Sequence, residues 1–127
     1  MEAVWITGIG FITSIGNNRS SVTESLRNMK HGIENPSMLQ VEESPVKVAG
    51  TVKEFDVDSS DPEDWKYPEK FSVPRATLRS FSPHVLYAWC ALNQAIEDAG
   101  LVEEDIQDPE SGLYTSSGGS MRSIPVS

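Results

Sequence analysis

The sequence predicts an α/β fold, in which strands and helices alternate along the chain. Apolar and glycine-rich signals occur in the order strand, helix, strand segment, helix, strand. The first strand is a short β-branched run without apolar and polar alternation, which is typical of a strand buried in a parallel sheet. The longest helix is bounded by strong start and stop residues. We therefore expect a layered fold with a mixed or parallel sheet.

The first strand is predicted at residues 4–7, with the sequence V-W-I-T. Gly8, Gly10 and Gly16 follow it. Because glycine lacks a Cβ atom, it tolerates tight turns and close backbone approach. We expect these glycines to shape a tight exit from the strand.

Dinucleotide binding is an alternative role for this glycine turn. It requires G-x-G-x-x-G, with the following helix presenting its N-terminus to a pyrophosphate. Here Gly8 and Gly10 are followed by Thr13 at the third glycine position. The helix is predicted to begin near Val22, too late to face a phosphate held by the turn. The spacing therefore favours the structural role.

A first helix is predicted from a capping box at residues 21–24, S-V-T-E, in which serine accepts from a free backbone N–H and glutamate reciprocates. Gly32 is predicted to end it in a left-handed conformation. One face of this helix is expected to be apolar. Its residues are Val22, Leu26, Met29 and Ile33.

The middle of the chain is predicted to hold a surface loop at residues 34–44 and a strand region at residues 46–55. Residues 56–74 carry six acidic residues and three prolines, so little regular structure is expected. We interpret this stretch as a solvated acidic excursion, with a functional loop or contact as the alternative.

The long helix is predicted to start with Ser82 as N-cap and Pro83 at its first position, and to end at Gly100. After an acidic connector, residues 112–117 are predicted to form a second strand, and Gly118-Gly119 a turn beyond it. The helix has a wide apolar stripe that we expect to be covered. The stripe consists of Val85, Ala88, Trp89, Leu92, Ala95, Ile96 and Ala99.

Five segments resemble those of β-ketoacyl synthases, in the order that this family uses. They are V-W-I-T-G-I-G-F-I-T-S-I-G-N at 4–17, K-H-G-I at 30–33, V-K-V-A-G-T-V-K-E-F at 46–55, the helix ending in A-I-E-D-A-G-L at 101, and G-L-Y-T-S-S-G-G-S at 112–120. The resemblance covers nearly the whole chain. It implies a thiolase-like α/β fold, with residues 1–127 as an incomplete N-terminal portion of the first αβ half.

The resemblance also implies an acyltransferase activity for the complete protein, in fatty acid or polyketide synthesis. In this family a cysteine thiolate accepts an acyl group from a carrier-protein thioester, and two further residues, His and His or His and Lys, assist decarboxylative condensation. That cysteine stands in a motif similar to D-T-A-C-S, which this sequence does not contain. We therefore assign no catalytic, cofactor-binding or metal-binding residue, and expect the chain to be inactive on its own.

Three side chains are candidates for a catalytic role. Cys90 lies in the middle of the long helix, so we interpret it as a packed thiol rather than a nucleophile. His84 lies six residues earlier, on a different helix face. His31 is interpreted as a solvent-facing residue that interacts with the terminal carbonyls of the first helix.

A run of basic residues before the long helix offers a partner contact, because in the family this segment helps to receive the acidic acyl carrier protein. The residues are Lys66, Lys70, Arg75 and Arg79. The family's denser run is thinned here and acidic residues are interleaved, so an ordinary mixed-charge surface is the alternative. Likewise, Gly118-Gly119 matches either a loop near the dimer interface and acyl pocket or a simple turn.

The composition argues against two classes of partner. The chain carries 10 Lys plus Arg against 19 Asp plus Glu, a net charge of −9, whereas nucleic-acid affinity depends on basic residues. No window approaches the ~20 apolar residues that span a membrane, and the N-terminus lacks a basic secretory start. The single cysteine forms no internal disulfide, which agrees with a cytoplasmic location.

The apolar helix stripe and the second strand are expected to leave an exposed apolar patch. We therefore predict a homo- or hetero-oligomer with synthase subunits, or a poorly soluble product. The alternative to a piece of an enzyme is a non-catalytic interaction module that pairs with a separate synthase subunit.

Overall fold

The computed structural model describes residues 2–118. They form a small α/β arrangement in which the glycine segment at residues 8–10 and the 56–74 stretch pack against one long helix. The α-helices are α1 (Arg19–Arg27), α2 (Arg75–Leu78), α3 (Pro83–Ala99) and α4 (Glu103–Gln107), the strands are β1 (Ile33–Glu34) and β2 (Ala49–Gly50), and 3₁₀ turns lie at Ser37–Leu39, Pro62–Asp64 and Glu69–Phe71.

Helix α1 begins earlier than the predicted capping box. Asn18 is the N-cap, and its Oδ1 accepts a hydrogen bond from the Ser21 N–H at 2.8 Å. Ser21 is thus a donor inside the helix rather than the capping acceptor. The predicted apolar face is also only partly right, because Val22 is buried whereas Leu26 is 65% exposed. The second buried position is polar: Ser25 donates to the Ile15 carbonyl at 2.7 Å.

The end of α1 corrects the prediction that Gly32 caps the helix. Met29 takes the left-handed conformation, with φ of 51°, and the Lys30 N–H donates to the Ser25 carbonyl at 2.8 Å. The terminal carbonyls are therefore satisfied three residues before Gly32. Gly32 instead lies against Ser14, where an added Cβ atom would be 2.4 Å from the Ser14 carbonyl oxygen.

The sheet of the described residues is a short antiparallel pair, not the expected parallel or mixed sheet. Ile33 of β1 lies opposite Gly50 of β2, and Glu34 lies opposite Ala49. The strand predicted over residues 46–55 is thus reduced to two residues. Glu54 adopts a φ of 65°, which turns the chain away from the strand direction.

The two outer predicted strands, at residues 4–7 and 112–117, are not strands in the structure. Val4 is 94% exposed and Tyr114 is 97% exposed. A strand requires a neighbour that accepts its backbone hydrogen bonds, and no segment within residues 2–118 forms a ladder with residues 4–7. Gly119, of the predicted glycine turn, lies outside the described residues.

The core corrects the interpretation of residues 56–74 as a solvated excursion. This stretch supplies Trp65, Phe71 and Val73 to the buried cluster, while most of its acidic side chains remain exposed. The Trp65 Nε1–H donates to the Ser59 carbonyl at 2.9 Å. Among the described residues, the buried cluster consists of Trp65, Phe71, Val73, Leu78, Leu86 and Cys90.

Both ends of α3 are confirmed. Ser82 occupies the N-cap position, although its side chain makes no capping hydrogen bond. Pro83 follows at the first helical position, and Gly100 ends the helix with a left-handed φ of 67°. These positions were predictable because they depend on local backbone chemistry.

The apolar stripe predicted for α3 is only partly buried. The side chains that enter the core are Leu86 and Cys90, which are fully buried, whereas Val85 and Leu92 are each 37% exposed. The core lies on the Leu86 side because residues 56–74 fold against that face. None of the helices in residues 2–118 combines the length and apolarity needed to cross a membrane.

Candidate functional site

The glycine turn after residue 7 lies directly against α3. A Cβ atom added to Gly8 would be 2.3 Å from the Ala95 carbonyl oxygen, and one added to Gly10 would be 2.0 Å from the Ala91 carbonyl oxygen. Real Cβ atoms do not approach so closely. The glycines therefore permit backbone-to-backbone packing between this segment and a small-residue face of the helix.

Two polar side chains of α3 hold the same segment by its backbone. The Asp98 carboxylate accepts from the Ile9 N–H at 3.1 Å, and Gln94 Oε1 accepts from the Phe11 N–H at 3.1 Å. Gln94 Nε2 also donates to the Asn17 carbonyl at 2.6 Å. The sequence prediction missed both anchors. A signal was present, because Gln94 and Asp98 lie four positions apart and therefore share one face of the helix.

This geometry opposes the dinucleotide alternative. At the glycine turn the Ile9 N–H already faces the carboxylate of Asp98, which would repel a phosphate. The same carboxylate lies 3.3 Å from Arg19 Nη1. The N-terminus of α1 is capped by the side chain of Asn18. The glycines therefore act in packing.

Cys90 is a packed thiol, as predicted. Its side chain is fully buried, and this burial raises the pKa of the thiol to about 11, although the Lys70 charge acts in the opposite direction. A thiol with this pKa is protonated near neutral pH and is a poor nucleophile. His84 lies against the Ser82 hydroxyl, with 3.2 Å between Oγ and Nδ1, and forms no hydrogen bond with Cys90.

His31 lines a cleft of about 250 Å³ between the 13–17 loop and β1. Its Nδ1 accepts from the Ile33 N–H at 3.2 Å, so the predicted interaction with helix carbonyls is wrong. Those carbonyls are already satisfied by backbone N–H groups. On the same cleft, hydrogen bonds from Thr51 and Lys53 lower the pKa of the Glu34 carboxyl. These polar side chains on the cleft are therefore already paired with other groups of the protein.

The basic run before α3 is partly neutralised by Glu63. One Glu63 oxygen accepts from Arg79 Nε, and the other lies 3.6 Å from Arg75 Nη2. The hydrogen bond from Arg79 to Glu63 raises the pKa of this guanidinium. Lys70 Nζ lies 5.0 Å from the centre of the Phe71 ring. The surface thus carries mixed charges, and both arginine side chains on it are mostly exposed.

Metal binding finds no support in the part of the chain that the structure describes. Residues 2–118 contain no group of three or more His, Cys, Asp or Glu side chains arranged to hold an ion.

Comparison with known proteins gives a consistent result. The model of the family described as "Beta-ketoacyl synthase, N-terminal domain" matches residues 1–124. The chain is 33% identical over 118 residues to 3-oxoacyl-[acyl-carrier-protein] synthase 1 of Haemophilus influenzae, covering 93% of this chain and 26% of the relative. It is 36% identical over 120 residues to 3-oxoacyl-[acyl-carrier-protein] synthase 1 of Escherichia coli K12, and this match covers 94% of this chain and 26% of the relative.

A more distant relative is 3-oxoacyl-[acyl-carrier-protein] synthase 2 of Synechocystis, with 29% identity over 117 residues, or 92% of this chain and 25% of the relative. The chain thus spans about a quarter of the length of these relatives. No solved structure matches it significantly. Because the family model covers nearly every residue, the chain belongs to the β-ketoacyl synthase family and corresponds to its N-terminal domain.

Proposed function

We propose that these residues contribute scaffold rather than chemistry to an acyltransferase that condenses acyl thioesters with loss of carbon dioxide. The names of the relatives support an action on acyl groups carried by acyl carrier protein. We propose fatty acid or polyketide synthesis as the pathway. Membership of the family implies a thiolase-like fold for the complete enzyme. The main observation behind this proposal is that Cys90 is fully buried, so these residues offer no accessible thiol nucleophile of their own.

Acyl transfer in such an enzyme needs a reactive thiolate. Cys90 is the single cysteine of the sequence, and its pKa of about 11 keeps it protonated. No substrate can reach it without opening the core. Neither histidine is placed to activate it, because His84 contacts Ser82 and His31 contacts its own loop. These residues therefore do not condense acyl groups by themselves.

The exposed arginines suit a second role, which is to receive an acidic carrier protein. Arg75 and Arg79 have side chains that are 80% and 66% exposed. Guanidinium groups bind carboxylates through paired hydrogen bonds, and charge complementarity speeds and orients protein encounters. We place the carrier contact of the complete enzyme at these two residues.

An interaction module is the second candidate, and the exposed N-terminal segment favours it. Val4, Trp5 and Ile6 are 94%, 81% and 88% exposed. Three consecutive exposed apolar residues outside any helix or strand are suited to join the sheet edge of another polypeptide. A separately encoded synthase subunit is the partner that this candidate requires.

A chimeric enzyme tests the proposed function. The 120 residues of this chain that align with the Escherichia coli synthase 1 replace their counterparts in that enzyme, and carbon dioxide release from malonyl-carrier protein is measured. We expect the chimera to retain condensation, and Cys90→Ala within it to remain active, because the buried thiol takes no part. The 127-residue chain by itself is expected to release no carbon dioxide.

Two results would contradict the proposal. One is condensation by the isolated chain that disappears in the Cys90→Ala variant. The other is a chimera that is folded, as judged by cooperative thermal unfolding, and binds carrier protein without condensing. The second result would favour the interaction module.

A further inference from the structure

Glu63 is held in place by the turn that carries it. Its N–H donates to Asp61 Oδ1 at 2.9 Å, which caps the Pro62–Asp64 turn. The next side chain but one, Trp65, is buried in the core and is fixed by its hydrogen bond to the Ser59 carbonyl. Because the backbone on both sides is fixed, only the side-chain torsions of Glu63 remain to be ordered when its carboxylate forms ion pairs.

The fixed carboxylate lies between two guanidinium groups. One oxygen accepts from Arg79 Nε and the other lies 3.6 Å from Arg75 Nη2. The Glu63 side chain is 23% exposed, whereas both arginines are mostly exposed. A carboxylate between two arginines is the arrangement that an acidic residue of a partner would adopt on this surface.

We propose that Glu63 is an intramolecular competitor for the acidic partner of Arg75 and Arg79. This inference rests on the carrier-protein contact proposed above. An incoming carboxylate must displace Glu63 or share the two guanidinium groups with it. Glu63 therefore weakens docking of a partner with a single carboxylate and favours a partner that presents several closely spaced carboxylates.

Removing the charge of Glu63 tests the competition. We expect Glu63→Gln to tighten the binding of purified acyl carrier protein roughly two- to fivefold at low ionic strength, because exposed ion pairs are worth small free energies. The gain should shrink as salt is added. The dissociation constant is measured by isothermal titration of the chimeric enzyme described above, and Glu63→Ala provides a second variant with the same expected direction.

The matched control is Glu69→Gln, which removes one negative charge from the same stretch at a residue that forms no ion pair with either arginine within residues 2–118. It should tighten binding less than Glu63→Gln. An equal gain in affinity in Glu63→Gln and Glu69→Gln would contradict the proposed competition, because it would be explained by the change in net charge alone. Unfolding temperatures of all variants are compared to verify that they fold.

The double variant Arg75→Ala/Arg79→Ala separates this inference from the proposed contact. One outcome is weaker carrier-protein binding in the double variant, together with unchanged binding in Glu63→Gln and Glu63→Ala. This outcome would contradict the competition by Glu63 but would support the proposed contact at the two arginines. Unchanged binding in the double variant would overturn the contact itself. A third outcome is tighter binding in the Glu63 variants that disappears when both arginines are also removed. This outcome would support both the arginine contact and the competition by Glu63.

Discussion

Met29 adopts a left-handed backbone conformation at the end of α1, a position where glycine is most common. A residue with a Cβ atom is strained there by roughly 1–2 kcal/mol. We predict that Met29→Gly raises the free energy of unfolding by about 0.5–1 kcal/mol, after subtraction of the greater chain entropy of glycine. The Met29 side chain is 90% exposed, so little packing is lost.

The measurement is urea denaturation, with Lys30→Gly as the control. Lys30 is also exposed but does not have a positive φ. Glycine at this neighbour should therefore lower the stability. A loss of stability in both variants would show that the strain at Met29 is compensated.

Cys90 makes the stability depend on alkaline pH. The folded state raises the pKa of this thiol from 9.0 to about 11, so the folded protein disfavours the thiolate that the unfolded chain forms. The contribution is fully present below pH 9 and is lost as the pH rises from 9 to 11. We predict that the stability difference between the natural chain and Cys90→Ala narrows across this window.

The comparison removes the effect of other groups that titrate at the same pH, because both chains contain them. Chemical denaturation at several pH values from 7 to about 11 gives the required free energies. A difference that stays constant through this range would show that the thiol is solvated in the folded state.

At the scale of elements, the contact between the glycine turn and α3 depends on the missing Cβ atom of Gly10. An alanine there would place its Cβ 2.0 Å from the Ala91 carbonyl oxygen, which is backbone and cannot move aside. We predict that Gly10→Ala lowers the free energy of unfolding by about 2 kcal/mol or more. Hydrogen exchange of the Phe11 amide should accelerate, because its bond to Gln94 is strained.

The matched control is Gly118→Ala. Nothing lies within 4 Å of a Cβ atom at Gly118, and its φ is not positive. This variant should match the natural protein. An unaffected Phe11 amide in Gly10→Ala would mean that the segment shifts without losing its anchors.

Elements were predictable from the sequence where their determinants are local. Pro83 at the first position and Gly100 at the end marked the bounds of α3, because the fixed φ of proline and the left-handed conformation of glycine are properties of the local backbone. The strands were not predictable in the same way, since pairing depends on distant segments. The acidic stretch was misread for a related reason: the burial of Trp65 and Phe71 depends on where α3 lies, which composition does not reveal.

At the candidate site, too, features with local determinants were predictable and features that depend on distant residues were not. The inert character of Cys90 followed from its position in the middle of a helix, and the structure agrees. The roles of Gln94 and Glu63 did not follow, because each contacts residues far along the chain. Polar contacts between residues distant in the chain have little effect on the local sequence pattern, so that pattern does not predict them.

At the scale of the whole molecule, the exposed residues Val4, Trp5 and Ile6 set the expected association state. Exposed apolar segments of this kind mark interfaces or aggregation sites. We predict that the isolated chain self-associates and that Trp5→Lys shifts sedimentation velocity profiles toward the monomer. The control is Met38→Lys, at a residue 63% exposed elsewhere on the surface.

Equal effects of the two lysine variants would point to net charge rather than to the N-terminal segment. A monodisperse monomer of the natural chain at the concentrations tested would contradict the prediction outright.

The positions of the three tryptophans give the protein an internal optical probe. Trp5 is 81% exposed, whereas Trp65 is 8% exposed and Trp89 is half-buried. Because indole fluorescence moves to shorter wavelength when water leaves its surroundings, the red edge of the emission spectrum comes chiefly from Trp5. A blue shift and reduced iodide quenching on mixing with another polypeptide would report, without any label, that the N-terminal segment has become covered.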